Sequence, residues 1–353
     1  MHSKRSRLAN LRRLLAAATL AIVASAIIAP RTSRSWAATD LGDPMPIGVL
    51  QLLPDQPSCI AGYKCKVFVV GGCANLQAQL KGTIAQAGPA KGVSPRGMVV
   101  FFKGGEGAGW WNSGDGVGGT FLSDLRRRDR FVTVQVQWSS AWYAASLHED
   151  AGQAHAACRP ATVVRWIHDN LYVPLKITHG LGECGFCITG NSGGSSAVAY
   201  ALSHYGLEGL LDAVVSTSGP VMSSIDKGCL PDYPEYNFTE WSIPEMDRPF
   251  GYLDENNDPG PCIRQDRTEI PRWQEESIVA SARDLSYPTV RVEVIIGGLD
   301  STPAPYQAGD YRDALQLDPS NHFTWTLVPD MHHTIQGSPS GLNALEVALL
   351  GSL

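Results

Sequence analysis

A Gly-Asn-Ser-Gly-Gly segment at residues 190–194 is the feature that most constrains how this chain can fold. The apolar residues 186–189 before it predict a buried strand, and the small residues 195–202 after it predict a closely packed helix. A serine on a tight turn between a strand and a helix is held clear of the sheet in a strained conformation. Glycines are needed on both sides because a Cβ there would collide with the strand and the helix. The G-x-S-x-G pattern in this context therefore predicts that Ser192 is a nucleophile.

Strands alternate with helices along most of the chain. The predicted strands are residues 46–53, 65–70, 97–102, 131–136, 186–189, 211–216, 290–296 and 323–328, and the predicted helices include residues 120–128, 154–171 and 342–350. The run at residues 97–102 is apolar throughout, which is typical of a strand buried on both faces. This alternation predicts an α/β fold with a mostly parallel sheet and helices on both faces.

One long segment, residues 221–288, interrupts the alternation between two predicted strands. It is rich in proline and aromatic residues and contains two cysteines. A connection of this length is usually functional or forms a subdomain of its own. We interpret it as an inserted lid or cap over the carboxyl end of the sheet. The alternative, a disordered excursion, is disfavoured by the aromatic content and the cysteine pair.

Residues 1–37 have the features of an export signal. They carry seven Lys and Arg residues and no acidic residue, and the apolar run at residues 14–29 is short for a membrane span. Ser35 and Ala37 provide the small residues of a cleavage site. We predict a signal peptide at residues 1–37 and a catalytic domain at residues 38–353 that is secreted, extracellular or periplasmic, without stable membrane insertion after cleavage. An uncleaved N-terminal anchor is the alternative.

The charge of the predicted mature chain argues against some partners. Without residues 1–37 the chain keeps 21 Lys and Arg residues against 34 Asp and Glu residues, a net charge of −13. An acidic surface repels phosphate backbones, so we expect no nucleic-acid partner.

Eight cysteines behind an export signal predict up to four disulfides. The sequence favours only one specific pair, Cys229 with Cys262, because both lie in the 221–288 insertion. Cys184-x-x-Cys187 has a metal or redox site as its alternative interpretation. A zinc ribbon needs a second such pair, which the sequence lacks, and a redox motif would begin a helix rather than lead into a strand.

A serine nucleophile needs a histidine base, held by a carboxylate that fixes its tautomer. Asp300 follows the predicted strand at residues 290–296 through a glycine turn, and its alternative role is a turn or helix cap. Asp310 and Asp313 are weaker candidates for the acid. His332 and His333 both follow the last predicted strand. We favour His333 as the base, with His332 as the alternative. The residues after His333 are typical of such a loop, since they are a Thr, an apolar residue and then a helix start that contains Pro and Gly.

The oxyanion of an acyl-transfer reaction needs two main-chain N–H donors. Gly193, directly after the nucleophile, is the first candidate. The loop after the strand at residues 97–102 supplies the second, and either Gly105 or Glu106 is placed to donate. A phosphate-binding loop would end in G-K-[ST], which this loop lacks.

On residues 190–194, Asp300, the two histidines and the Gly104-Gly105 loop, the chain resembles the α/β-hydrolase fold superfamily. The resemblance runs from about residue 46 to the end of the sequence. It implies a mostly parallel eight-stranded sheet and a Ser–His–Asp triad that forms an acyl-enzyme, with no metal and no cofactor. The chain departs from the superfamily at Lys103, where many members carry histidine.

We therefore expect a secreted, lipase-like carboxylic-ester hydrolase that acts on a small-molecule or polymeric ester. Trp110, Trp111, Trp138, Trp142, Tyr143 and the aromatic residues of the 221–288 segment lie at or just past strand ends, and they are candidates to line an apolar pocket. Packing in the core is the alternative for any one of them. A serine peptidase or an acyltransferase on the same fold is the alternative. A non-catalytic binding protein on a hydrolase scaffold and a metal-dependent hydrolase are less consistent with an intact Ser, Asp and His set.

Overall fold

The computed structural model describes residues 43–55, 58–112, 116–180, 182–253, 256–283 and 285–351. The predicted signal peptide at residues 1–37 lies outside the described residues. Within them, none of the helices is long and apolar enough to cross a membrane.

The described strands form one nine-stranded sheet with the order β1-β2-β3-β5-β4-β6-β7-β8-β9. These strands are β1 Val49–Leu52, β2 Lys64–Gly71, β3 Leu80–Ala87, β4 Gly97–Phe102, β5 Phe131–Trp138, β6 Phe186–Asn191, β7 Ala213–Thr217, β8 Arg291–Gly297 and β9 His322–Val328. The pairings β1/β2, β2/β3 and β3/β5 are antiparallel. The other five pairings, from β5/β4 to β8/β9, are parallel.

Helices cover both faces of this sheet. They are α1 Gly116–Arg127, α2 Gln153–Ala156, α3 Cys158–Ile167, α4 Gly193–Ser203, α5 Ile225–Cys229, α6 Ile243–Asp247, α7 Ile270–Glu276, α8 Ala304–Leu315 and α9 Pro339–Leu350. A π-helical turn at His168–Tyr172 extends α3. Short 3₁₀ turns lie at Val173–Leu175, Glu208–Leu210, Arg248–Phe250, Arg267–Glu269 and Ile335–Gly337.

The mostly parallel α/β architecture was predicted correctly, but the expected eight strands are nine in the described part of the chain. The additional strand is β3, whose sequence LKGTIAQA is poor in the β-branched and aromatic residues that favour strands. Its position depends on its neighbours. Gly82 leaves room for the ring of Phe68 on β2, and the opposite edge of β3 pairs with β5.

β4 lies between two apolar cores because successive side chains of a strand point to opposite faces. Met98, Val100 and Phe102 belong to the core that includes α3 and α4. Val99 and Phe101 belong to the core that includes α1 and α9. This double burial explains why the β4 sequence is apolar throughout.

The predicted insertion, residues 221–288, connects β7 to β8 and carries α5, α6 and α7 in its described parts. An ionic cluster attaches it to α8. Asp310 on α8 accepts hydrogen bonds from Lys227 Nζ at 2.7 Å and from the Tyr236 hydroxyl at 2.8 Å. The predicted Cys229–Cys262 disulfide is present and joins two parts of the same segment.

Three further disulfides, Cys59–Cys65, Cys73–Cys158 and Cys184–Cys187, pair the remaining cysteines. Cys184 and Cys187 are fully buried. Because their sulfurs are bonded to each other, no thiolate remains there for a metal ion.

Candidate active site

Ser192 lies at the turn between β6 and α4 with φ 54° and ψ −120°, a conformation that non-glycine residues rarely adopt. Its main-chain N–H donates to the Thr217 carbonyl at the end of β7, at 2.9 Å. Its own carbonyl accepts from the N–H groups of Ser195 and Ser196 at 2.9 and 3.2 Å. These bonds stabilise the strained turn, and the sequence predicted both the turn and the serine on it.

The glycines around Ser192 are required by close packing of backbone on backbone. A Cβ on Gly190 would collide with the carbonyl group of Gly194. A Cβ on Gly194 would collide with the carbonyl oxygens of Phe102 and Lys103, at the end of β4. The first turn of α4 therefore packs directly against the strand that leads into the glycine loop.

Asp300 and His333 meet at the carboxyl end of the sheet, on the loops that follow β8 and β9. His333 Nδ1 lies 2.9 Å from Asp300 Oδ2. A carboxylate can only accept, so Nδ1 carries a proton, and in the neutral ring Nε2 then keeps a lone pair. This is the tautomer that a general base needs.

The environment of Asp300 keeps it ionised. Its side chain has no exposed surface, and this burial by itself would raise its pKa. The hydrogen bond and charge of His333, together with hydrogen bonds from Thr302, outweigh burial and hold the pKa of Asp300 below its ordinary value. Thr302 donates to Asp300 Oδ1 from its main-chain N–H at 3.0 Å and from its hydroxyl at 2.7 Å.

Ser192 and His333 line the same cavity, together with Gly105 and Gly193. His332 points elsewhere: it is exposed and lies outside the set of described residues that line this cavity. The structure thus brings together Ser192, Asp300 and His333.

The alternative aspartates do not meet a histidine in the described contacts. Asp310 binds the insertion through Lys227 and Tyr236. Asp313 pairs with its neighbour Arg312 at 2.8 Å.

The glycine loop after β4 packs against the start of α4. Gly105 has φ +59°, and a Cβ on Gly193 would collide with the Gly105 backbone. N–H groups in the first turn of a helix have no partner within the helix, so the Gly193 N–H is not used by α4 itself. Gly105 lines the cavity, whereas the Glu106 side chain pairs with Arg248 Nη1 at 2.6 Å.

The insertion supplies half of the described residues that line the cavity. Its apolar residues in the wall are Val221, Met222, Phe238, Trp241 and Met246, and its polar ones are Thr239, Ser242 and Glu245. From the sheet side, Tyr143 lines the cavity and donates a hydrogen bond to Glu245 at 2.5 Å.

For Trp111, Trp138 and Trp142 the structure shows the alternative, core packing: each is at most 2% exposed and packs in an apolar core. Among the aromatic candidates, Tyr143 lines the cavity, as do Phe238 and Trp241 of the insertion.

Two residues of this site were missed by sequence reasoning. Asn191 Oδ1 accepts from the Ile335 N–H at 3.3 Å and from the Thr217 hydroxyl at 3.2 Å, so it links β6 to the loop that carries His333. No sequence signal identifies this role, because the partners are distant in the chain. Thr302, whose hydroxyl oxygen lies 3.0 Å from His333 Nδ1, had a signal in the Asp-x-Thr turn that it forms with Asp300.

Comparisons with known proteins identify the fold. No family model matches this sequence, and no curated protein matches it. Among solved structures, the chain is similar to brefeldin A esterase, described as a bacterial homologue of human hormone-sensitive lipase, with a TM-score of 0.51 and 13% identity over 84% of this chain and 77% of that chain. An esterase from the fungus Rhizomucor miehei has a TM-score of 0.47 at 14% identity, over 86% and 81% of the two chains, too low to add weight. This chain therefore has the α/β-hydrolase fold.

Proposed function

We propose that this protein is a secreted carboxylic-ester hydrolase that uses Ser192, His333 and Asp300. One observation carries the proposal. A buried, ionised Asp300 fixes the base-competent tautomer of His333, and His333 shares a largely apolar cavity with Ser192. An ester with an apolar acyl group is the substrate that such a cavity accommodates.

In the proposed reaction, Ser192 Oγ attacks the ester carbonyl carbon while His333 Nε2 accepts the hydroxyl proton. Asp300 stabilises the resulting imidazolium. The N–H of Gly193, with that of Gly105 or Glu106, stabilises the oxyanion. The bond to the alcohol then breaks, and His333 gives the proton to the leaving alkoxide, which produces an acyl-enzyme. Water attacks the acyl-enzyme by the same steps and releases the acid.

The wider organisation of the chain supports this proposal. We propose that residues 221–288 act as a cap, since they supply half of the described residues that line the cavity. We also propose that residues 1–37 are removed on export. Four disulfides support an oxidising compartment, because cytosolic thiols are kept reduced.

The test is hydrolysis of p-nitrophenyl esters, from acetyl to palmitoyl, by residues 38–353. We expect turnover that Ser192→Ala lowers by about 10³-fold or more, and that falls at acid pH because an imidazolium cannot accept a proton. Ser94→Ala is the matched control, since Ser94 is exposed and lies outside the cavity. A chelator should leave activity unchanged. If no ester is hydrolysed, the proposal is wrong, and peptide amides and acyl transfer to alcohols become the reactions to assay.

A further inference from the structure

A second cavity, which we call the outer groove, lies beside the catalytic cavity on the surface of the insertion. Helix α6 lies between the two. Ser242 and Met246 line the catalytic cavity, whereas Pro244 lines the outer groove. Trp241 and Glu245 line both cavities. The two spaces therefore adjoin at these two residues.

Trp241 stands at this shared rim with 68% of its surface exposed. Trp111, Trp138, Trp142 and Trp273 are each at most 2% exposed, so the exposure of Trp241 contrasts with the burial of these four indoles. An exposed indole beside a reaction site is a flat apolar surface that can stack on a ligand ring. The C–H face of a sugar ring has the size and polarisation that such stacking requires.

The chemistry of the outer groove differs from that of the catalytic cavity. Besides Trp241 it presents the Arg248 guanidinium and the carboxylates of Glu240, Glu245 and Asp258. Such groups form hydrogen bonds with hydroxyl groups. Three acidic side chains against one basic side chain, among the described residues that line it, disfavour an anionic ligand. A neutral molecule rich in hydroxyl groups satisfies both conditions.

We propose that the outer groove binds the alcohol part of the substrate, and that this part is a neutral oligosaccharide or polysaccharide carrying ester-linked acyl groups. The acyl group occupies the apolar cavity at Ser192, and the sugar chain crosses the rim on Trp241. This inference rests on the proposed ester hydrolase function and adds the substrate class.

Two substrates separate the groove from the catalytic site. Acetylated cellotetraose reaches both spaces, whereas p-nitrophenyl acetate needs only the catalytic cavity. We expect Trp241→Ala to lower kcat/KM for acetylated cellotetraose about tenfold, mainly through KM, because one stacking contact is lost. Because Trp241 also lines the catalytic cavity, the comparison is a ratio: the loss in kcat/KM for acetylated cellotetraose should exceed the loss for p-nitrophenyl acetate about fivefold. Trp241→Phe should restore most of the loss, since it keeps an aromatic face.

Trp166→Ala is the matched control. Trp166 is partly exposed on α3, beneath Lys66, and lines neither cavity. Its substitution should change kcat/KM for both substrates by the same factor. An acetylated oligogalacturonate, which is anionic, should be a poorer substrate than acetylated cellotetraose, because the groove is acidic.

A binding measurement that does not depend on turnover completes the test. Calorimetric titration of Ser192→Ala with unmodified cellotetraose should detect binding, and Ser192→Ala/Trp241→Ala should weaken this binding about tenfold. The inference is overturned if Trp241→Ala affects both esters equally, if the dependence on Trp241 appears for long-chain acyl esters instead, or if wild type hydrolyses p-nitrophenyl acetate but not acetylated cellotetraose. That last result leaves the proposed function standing, whereas failure on both esters overturns the proposed function itself.

Discussion

Replacing Asp300 with asparagine tests the proposed triad at its most buried member. In the structure, Asp300 Oδ1 accepts two hydrogen bonds from Thr302, one of them from a main-chain N–H at 3.0 Å. The other oxygen, Oδ2, accepts from His333 Nδ1 at 2.9 Å. An amide can satisfy only one of these sides with its oxygen, because its nitrogen donates.

The asparagine oxygen should face Thr302. The Thr302 hydroxyl can rotate to accept a hydrogen bond, but the Thr302 main-chain N–H can only donate one. Burying this N–H against an NH₂ group costs about 2 kcal/mol, or about 30-fold in population. The amide nitrogen then faces His333 and forces Nδ1 to accept, which moves the ring proton to Nε2. In that tautomer Nε2 cannot take the Ser192 proton.

The two losses combine into one expected rate effect. The smaller population of the base-competent tautomer accounts for a factor of about 30. In addition, the imidazolium loses a hydrogen bond to a charged partner, which is worth about 1.5–3 kcal/mol or roughly 10–150-fold. The expected loss in kcat is therefore on the order of 10³-fold. The free energy of unfolding should change by far less than the free energy of activation, so the variant should remain folded at assay temperature.

The assay is kcat for p-nitrophenyl butyrate, with Tm as the check on folding. Asp310→Asn is the matched control, because Asp310 is also a hydrogen-bonded carboxylate but binds Lys227 and Tyr236 instead of His333. It should lower Tm and leave kcat within about threefold. The reasoning is refuted if Asp300→Asn keeps more than a tenth of the wild-type kcat, or if Asp310→Asn loses as much.

Three further outcomes follow from the structure. Thr302→Val removes the hydroxyl bond to Asp300, and we expect kcat to fall about tenfold with KM unchanged in steady-state kinetics. Gly194→Ala introduces a Cβ that collides with main-chain oxygens, and urea unfolding should show destabilisation by about 1–3 kcal/mol, whereas Gly209→Ala, where the space is open, should show little. Burial raises the pKa of Asp247 to about 6, against bonds from two main-chain N–H groups that lower it. The folded state therefore binds a proton on Asp247 more tightly than the unfolded chain does. The resulting contribution to the free energy of unfolding is complete below about pH 4 and is lost as the pH rises through 6. Asp247→Asn should remove that decline, and a Tm series from pH 4 to 7 that shows an unchanged decline would contradict this origin.

Some features of the fold follow from short stretches of sequence. Apolar periodicity identified eight of the nine strands in the described part of the chain, because burial on one or both faces leaves a local pattern. The serine turn was identifiable because glycines are required where backbone packs on backbone at residues 190–194. β3 escaped recognition because its glycine and alanines carry little local strand signal, and its pairing with β2 and β5 places it.

The sequence by itself determined the α/β class, the serine turn and the short set of candidate acids and bases, since each depends on residues adjacent in the chain. Only the tertiary structure decided which candidates meet. Asp300 and His333 are 33 residues apart, and Asn191 reaches Ile335 across 144 residues. Half of the described residues that line the cavity likewise come from an insertion whose sequence does not reveal which side chains face Ser192. Hydrogen bonds and cavity walls join residues far apart in sequence, so local patterns cannot specify them. They are specified by the register of the parallel strands, which aligns the carboxyl ends of those strands.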